Sequence, residues 1–332
     1  MRFLLDDEQT AFDRSLDRML AAAGTPAAVR AWSAGDQAAG RALWARLAGA
    51  GVFALAVPEA YDGPGPLPVE LAVAFVQLGR YAVPGPVVET AAVAVLLDRL
   101  AGGGEGAPAK EWLPRIASGQ VVTTYCAAAG GPYALDADAA DAVFAVQGEE
   151  LRLPTGPGSV QRSLDPARRL VRPRGGGELL ASGPAVREAA AHAADWAAFA
   201  TAGQALGTGL ALVEKTVAYA KQRTQFGVPI GSFQAVKHQL ADALLGLEFA
   251  RPLLYGAAVA LAARAPGAGA DVAAAKVAAC EAAYAAARTA LQLHGAIGYT
   301  AEHDLSLWIR KARALRSAWG SPSHCRGRVL AG

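Results

Sequence analysis

The sequence predicts a mainly α fold with a small β domain: an N-terminal helical domain, a middle β domain and a C-terminal four-helix bundle. Three observations predict it. Apolar residues recur at helical spacing from Asp7 to about Leu100. Between about Ser118 and Arg187 the pattern changes to short β-branched or alternating runs separated by Gly and Pro. From Pro184 helical spacing returns in long alanine-rich stretches that run to about Leu330. The expected boundaries are 1–117, 118–186 and 187–332.

In the first domain, Phe12, Leu16, Met19 and Leu20 mark one helical face, and Leu43, Trp44, Leu47 and Phe53 another. The turn-rich Pro58 to Pro66 separates two helices, and the Gly/Pro-dense Gly102 to Pro108 is expected to close the domain. Strands are expected at Val121 to Tyr125, Ala142 to Val146 and Leu170 to Arg172. The later helices break at Gly227 to Ser232 and at Ala265 to Gly269. Alanine is the best helix former and permits close helix packing, so most apolar positions need no role beyond the core.

Composition narrows the function. In 332 residues, 53 % are hydrophobic and 18 % charged, as in a globular protein. The net charge of +2, from 31 basic and 29 acidic side chains, gives no field that would gather nucleic acid. Cys126, Cys280 and Cys325 are far apart and form no CxxC pair, which argues against a disulfide framework or a zinc site. The opening MRFLLDDE turns acidic too early for a signal peptide, and Ala191 to Leu212 is too weakly apolar and too interrupted for membrane insertion. A cytoplasmic location is expected.

Two segments invite chemistry. RTQFGVPIGSFQ, Arg223 to Gln234, offers a guanidinium that can pair with a pyrophosphate, and Gly227 permits a tight turn beside the aromatic Phe226. LQLHGAIGYT, Leu291 to Thr300, holds Gly295 and Gly298, whose backbone N–H groups are expected to stand open to an anion. His294, beside this turn, reads as structural.

These segments, with Trp44, Gly51 and Val57 to Gly63 in the first domain, resemble the acyl-CoA dehydrogenases over essentially the whole chain, so the fold expected is acyl-CoA dehydrogenase-like. The resemblance implies FAD as cofactor and an acyl-CoA thioester as substrate. It also implies that the R-x-x-F-G and Q-x-x-G-G segments reach the FAD of a neighbouring subunit. The cofactor-binding residues so implied are Arg223, Gln225, Phe226, Gln234, Gln292 and Gly295.

The sequence departs from the family where the reaction needs a base. A carboxylate must take the α-proton while hydride leaves the β-carbon for flavin. One family position for that glutamate falls on Trp319 and the other on Ala197; neither side chain can accept a proton. The family's TEP-x-A-G-S-D-like run, which holds the subunit's own flavin, reads TYCAAAGGPY at Thr124 to Tyr133. The residues that reach a neighbour's FAD are kept and those that hold its own are eroded, with Trp319 expected to fill the subunit's own acyl pocket. This resembles the shorter, base-less subunit of actinobacterial heteromeric acyl-CoA dehydrogenases, some of which handle thioesters of steroid side chains and ring fragments. The implied partner is a catalytic subunit in a heterotetramer. Two other readings stay open: a self-sufficient homo-oligomer with a base among Glu302, Asp304 and Asp195, and a flavin-free assembly protein with the same fold.

Overall fold

The computed structural model describes residues 4–332; Met1, Arg2 and Phe3, the start of the segment read against a signal peptide, lie outside the described residues. Helix α1 (Asp7–Ala21) opens with a capping box. Asp6 accepts the Gln9 N–H at 2.8 Å and the Gln9 side chain accepts the Asp6 N–H at 3.1 Å, which satisfies two donors that a helix start leaves over. Helices α2 (Thr25–Ser33), α3 (Ala38–Gly49), α4 (Pro68–Arg80) and α5 (Val87–Gly102) follow. The Gly/Pro-rich segment after α5 does not end the helical part, as the sequence suggested. A sixth helix, α6 (Ala107–Ala117), begins there with Pro108 in its first turn, where a missing N–H is harmless, and buries Trp112, Leu113 and Ile116.

The β part holds β1 (Thr123–Cys126), β2 (Ala134–Leu135), β3 (Ala142–Gln147), β4 (Glu150–Leu153), β5 (Val160–Gln161), β6 (Leu170–Val171) and β7 (Glu178–Ser182). One sheet has the order β1-β3-β4-β7, with only β1 and β3 parallel, and a smaller antiparallel sheet has the order β2-β6-β5. Helix α7 (Pro184–Gln222) then runs unbroken to the hairpin β8 (Thr224–Gln225) and β9 (Val228–Pro229). Helices α8 (Gln234–Ala262), α9 (Ala268–His294) and α10 (Leu305–Leu315) complete the bundle, and α11 (Pro322–Ala331) lies on α9. Both α7 and α8 are long and apolar enough to cross a membrane by length and composition. In α7 that window is 94 % buried within the protein, whereas in α8 it is 39 % buried, so α8 keeps an uncovered apolar side.

Two features hold the three parts in register. Helices α4 and α7 cross so closely that a Cβ on Gly207 would lie 1.8 Å from the Val76 carbonyl oxygen, and one on Gly79 would lie 2.1 Å from that of Gln204. A few buried charges provide the second tie. Lys311 of α10, 3 % exposed, donates to the Val83 carbonyl at 3.2 Å and lies 4.0 Å from Asp165. Arg169 pairs with Asp138 at 2.9 Å and donates to the Trp32 carbonyl, pinning the β part to α2. Beside it, fully buried Asp136 accepts the Arg169 N–H at 2.9 Å; burial pushes its carboxyl up to about 7, against the lowering effect of the Arg169 charge.

Two outcomes follow. Gly207→Ala inserts a methyl against backbone that cannot yield, and should destabilise the fold by about 1–3 kcal/mol; denaturant midpoints at parental levels would refute the close crossing. Because the folded Asp136 carboxyl titrates above its ordinary 3.8, its contribution to stability is complete below that value and is lost as pH rises through about 7. Asp136→Asn should therefore gain stability relative to the parent on going from about pH 5 to pH 8, read from paired thermal melts. Parallel melting curves for the two proteins would contradict the assignment.

Candidate active site

At the position where the family resemblance places a catalytic glutamate, the chain between α10 and α11 turns through Trp319, whose φ is +52° and whose indole is 8 % exposed. The ring stacks on Tyr125 of β1, with centroids 5.3 Å apart and planes 9° from parallel. It also covers Gly130, where a Cβ would lie 2.8 Å from the indole. Its Nε1 donates to Glu89 Oε1 at 3.0 Å. Glu89 belongs to the first turn of α5, is 3 % exposed, and its second oxygen has no partner. Burial drives the Tyr125 hydroxyl far above its usual range, so it is no proton acceptor. The indole thus sits at the meeting point of α5, the β part and the end of the bundle, resting on Tyr125 and Gly130 of the segment aligned with the family's flavin-holding run. A cleft of about 300 Å³ remains beside it, lined by Arg168, Arg313, Tyr133, Ser163 and Ser317 together with Glu89.

The second expected base position, Ala197, is fully buried in α7, its carbonyl accepting the Thr201 hydroxyl at 2.7 Å. Two of the substitute carboxylates are committed to ion pairs. Asp304 is paired with Arg30 at 2.5 Å and Asp195 with Arg328 at 2.5 Å, while Glu302 is exposed and its backbone carbonyl is held by Arg30. Asp304 immediately precedes α10, and Glu302 lies two residues before Asp304.

The residues expected to reach a neighbour's cofactor gather at one end of the bundle. Arg223 ends α7, Gln225 and Phe226 form the β8–β9 hairpin, and Gln234 opens α8; all four are exposed. The hairpin is fixed by the Ile230 N–H donating to the Arg223 carbonyl at 2.8 Å and by Gly231, where a Cβ would lie 3.0 Å from the Ala220 carbonyl oxygen. Tyr219, one turn before Arg223, stacks on His294 with centroids 4.0 Å apart, so the Gln292–Gly295 turn is tied to the same end of α7. His294 is structural: Nδ1 bonds the Ala290 carbonyl oxygen at 2.8 Å, and burial lowers its pKa. One expectation is corrected. The Gly295 N–H closes α9 on the Leu291 carbonyl rather than standing free, and Gly298 is buried, so anion binding here would fall to the exposed Gln292 amide. Phe226, with φ of +55°, holds its ring 91 % exposed, edge-on to Phe233.

The sequence reading missed Glu89 and Arg168. Glu89 had a signal, as the single carboxylate in the apolar first half of α5; Arg168, in an irregular loop, had none.

This geometry can be set beside known proteins. The acyl-CoA dehydrogenase N-terminal domain family matches residues 6–120 and the C-terminal domain family residues 188–330. "Acyl-CoA dehydrogenase IpdE2" of Mycobacterium tuberculosis is 34 % identical over 319 residues, covering 95 % of this chain and 94 % of that protein. Among solved structures, the ChsE4-ChsE5 complex from Mycobacterium tuberculosis superposes with a TM-score of 0.83 at 23 % identity, covering 100 % of this chain and 98 % of that one. The Tcur3481-Tcur3483 steroid acyl-CoA dehydrogenase variant gives 0.82 at 24 %, covering 98 % and 97 %. At those identities the structures speak for the fold. Fold and family matches define the class, the FAD-dependent oxidoreductases of acyl thioesters. The chain belongs to the acyl-CoA dehydrogenase family.

The Trp319–Glu89 pair predicts coupled stability effects. Trp319→Phe keeps a ring on Tyr125 but leaves a buried carboxyl group with no donor, a cost of about 1–3 kcal/mol. Adding Glu89→Met should restore most of that loss, because removing both polar partners together is nearly neutral. Urea denaturation of the four proteins checks this; a double variant no more stable than the sum of the singles implies would break the pair.

Proposed function

We propose that this chain is a base-less subunit of a heteromeric acyl-CoA dehydrogenase, and that it completes the FAD site of a catalytic partner acting on an acyl-CoA thioester. The observation that carries this reading is the indole of Trp319, buried and hydrogen-bonded in the place of the base and packed over the chain's own flavin wall. The opposite side suits the cofactor: Arg223 has no acidic partner among the described residues, and Gln225, Gln234 and Gln292 present free amides beside it. There the chain's residues would bind and orient the cofactor. Arg223 would hold the pyrophosphate through paired charge-assisted hydrogen bonds and Phe226 would cover an aromatic face. FAD, when bound, supplies the hydride acceptor; the base comes from the partner.

A partner is also supported by uncovered apolar surface. Leu244, Leu245, Phe249 and Leu253 of α8 are 41 %, 54 %, 73 % and 44 % exposed, and Phe226 stands at the end of the same helix hairpin. Full burial of each such side chain is worth about 1.5–3 kcal/mol, so an interface between helices would be strongly favoured. The similar chains in the ChsE4-ChsE5 and Tcur3481-Tcur3483 structures belong to two-protein assemblies, and the latter is a steroid acyl-CoA dehydrogenase, which supports a partner subunit, in a heterotetramer on the reading proposed here, and a steroid-derived acyl group. The expected cytoplasmic location suits such an enzyme.

Arg223→Ala should strip flavin from the complex without unfolding either chain. Loss of a charge-assisted hydrogen bond worth about 1.5–3 kcal/mol weakens FAD binding roughly ten- to a hundredfold. Absorbance of the co-purified complex measures it; a complex that keeps all its FAD, or an isolated chain that oxidises acyl-CoA at a rate typical of the family, would defeat the reading.

A further inference from the structure

We propose that the cleft beside Trp319 binds a small organic anion, carboxylate or phosphate, that also carries a hydroxyl or amide hydrogen-bond donor. The space, about 300 Å³, lies at the lower end of the range of about 300–1,000 Å³ typical of small-molecule sites. Its lining carries a carboxylate side chain, Glu89, and two guanidiniums, Arg168 and Arg313, and among the described residues none of the three has a full set of partners.

Arg168 supplies the anion-binding half. It is 9 % exposed, yet its guanidinium has no hydrogen-bond acceptor and no carboxylate within ion-pair distance among the described residues. Buried charge is costly unless paired, and the adjacent Arg169 shows the ordinary solution, with Asp138 and the Trp32 carbonyl both in place. Arg313 approaches the same cleft from α10. It too has no carboxylate partner, its guanidinium lying only 5.9 Å over the Tyr284 ring. Two guanidiniums line one cleft, one of them almost wholly buried, and a guanidinium pairs bidentately with a carboxylate or phosphate.

Glu89 supplies the other half. Trp319 satisfies one of its oxygens, and Oε2 is buried without a partner. A bare anion would leave that acceptor unanswered and would meet a carboxyl group. A neutral polar molecule would leave Arg168 unanswered. An anion with a hydroxyl or amide group answers both, and the Ser163 and Ser317 hydroxyls can adapt to either anionic group. Every group named here lies within this chain, so the site needs neither the partner subunit nor FAD.

The test is isothermal titration of the full chain, alone and flavin-free, with L-malate and with glycerol 3-phosphate, beside their deoxy counterparts succinate and propyl phosphate. Because no flavin is present, its outcome is separate from that of the proposed composite site. We expect saturable binding of at least one hydroxylated anion, and which one binds tells carboxylate from phosphate. The deoxy analogue should bind roughly two- to tenfold more weakly, the effect of one lost hydrogen bond. Arg168→Gln should weaken binding about ten- to a hundredfold. If Arg168→Gln fails to fold by circular dichroism, the surface variant Arg313→Gln decides, with a weakening of several-fold. No saturable binding of either anion, or binding unchanged in the folded variants, overturns the site; equal affinity for the deoxy analogues overturns the role of Glu89.

Discussion

The hydrogen bond from Trp319 to Glu89 is the interaction on which the arrangement of the three parts turns. Its donor lies in the link between α10 and α11, its acceptor on α5, and the indole between them rests on Tyr125 of β1 and on Gly130. A side chain larger than hydrogen at Gly130 would meet the ring, and a ring without an N–H would leave Glu89 buried with no donor. The position that the family resemblance aligns with a glutamate is here a structural joint. A base must be exposed to substrate and free to take a proton, whereas a joint must be buried and satisfied, so the same position serves one purpose at the expense of the other.

The opposite end of the bundle obeys a different constraint. Arg223, Gln225, Phe226, Gln234 and Gln292 are held by a well-fixed backbone, through the β8–β9 hairpin and the Tyr219–His294 stack, yet their side chains face solvent. A rigid frame carrying unpaired polar groups and an exposed phenyl ring is preorganised for something outside the chain. The uncovered side of α8 continues that surface. Its exposed leucines and phenylalanine contrast with α7, which is buried along nearly all of its apolar window.

Close packing by small residues explains how so alanine-rich a chain keeps these sites in place. Where α4 crosses α7, glycines let the backbones meet almost directly, and one continuous apolar core runs from α1 through β1 and β3 to α10. Charged groups inside that core, Lys311 with the Val83 carbonyl and Arg169 with Asp138 and Trp32, fix the β part against the helices on either side. Directional bonds set register where apolar packing alone would permit sliding.

The sequence by itself determined the family and the helix–β–helix order, because each is written in local pattern. Helical periodicity marks α1 and α7, and the twelve residues from Arg223 carry their turn chemistry with them. Tertiary structure alone decided what surrounds Trp319. That Trp319 meets Glu89 depends on bringing together residues 230 positions apart, and that Arg168 is buried without a partner among the described residues depends on which loop covers it. Even the Gly295 turn shows the limit: the glycine that permits the turn was legible, but the N–H was already committed to Leu291 by the way the helix ends. Periodicity and turn residues report a chain's conformational preferences; partners distant in sequence, and the polar groups left without any, exist only once the chain has folded.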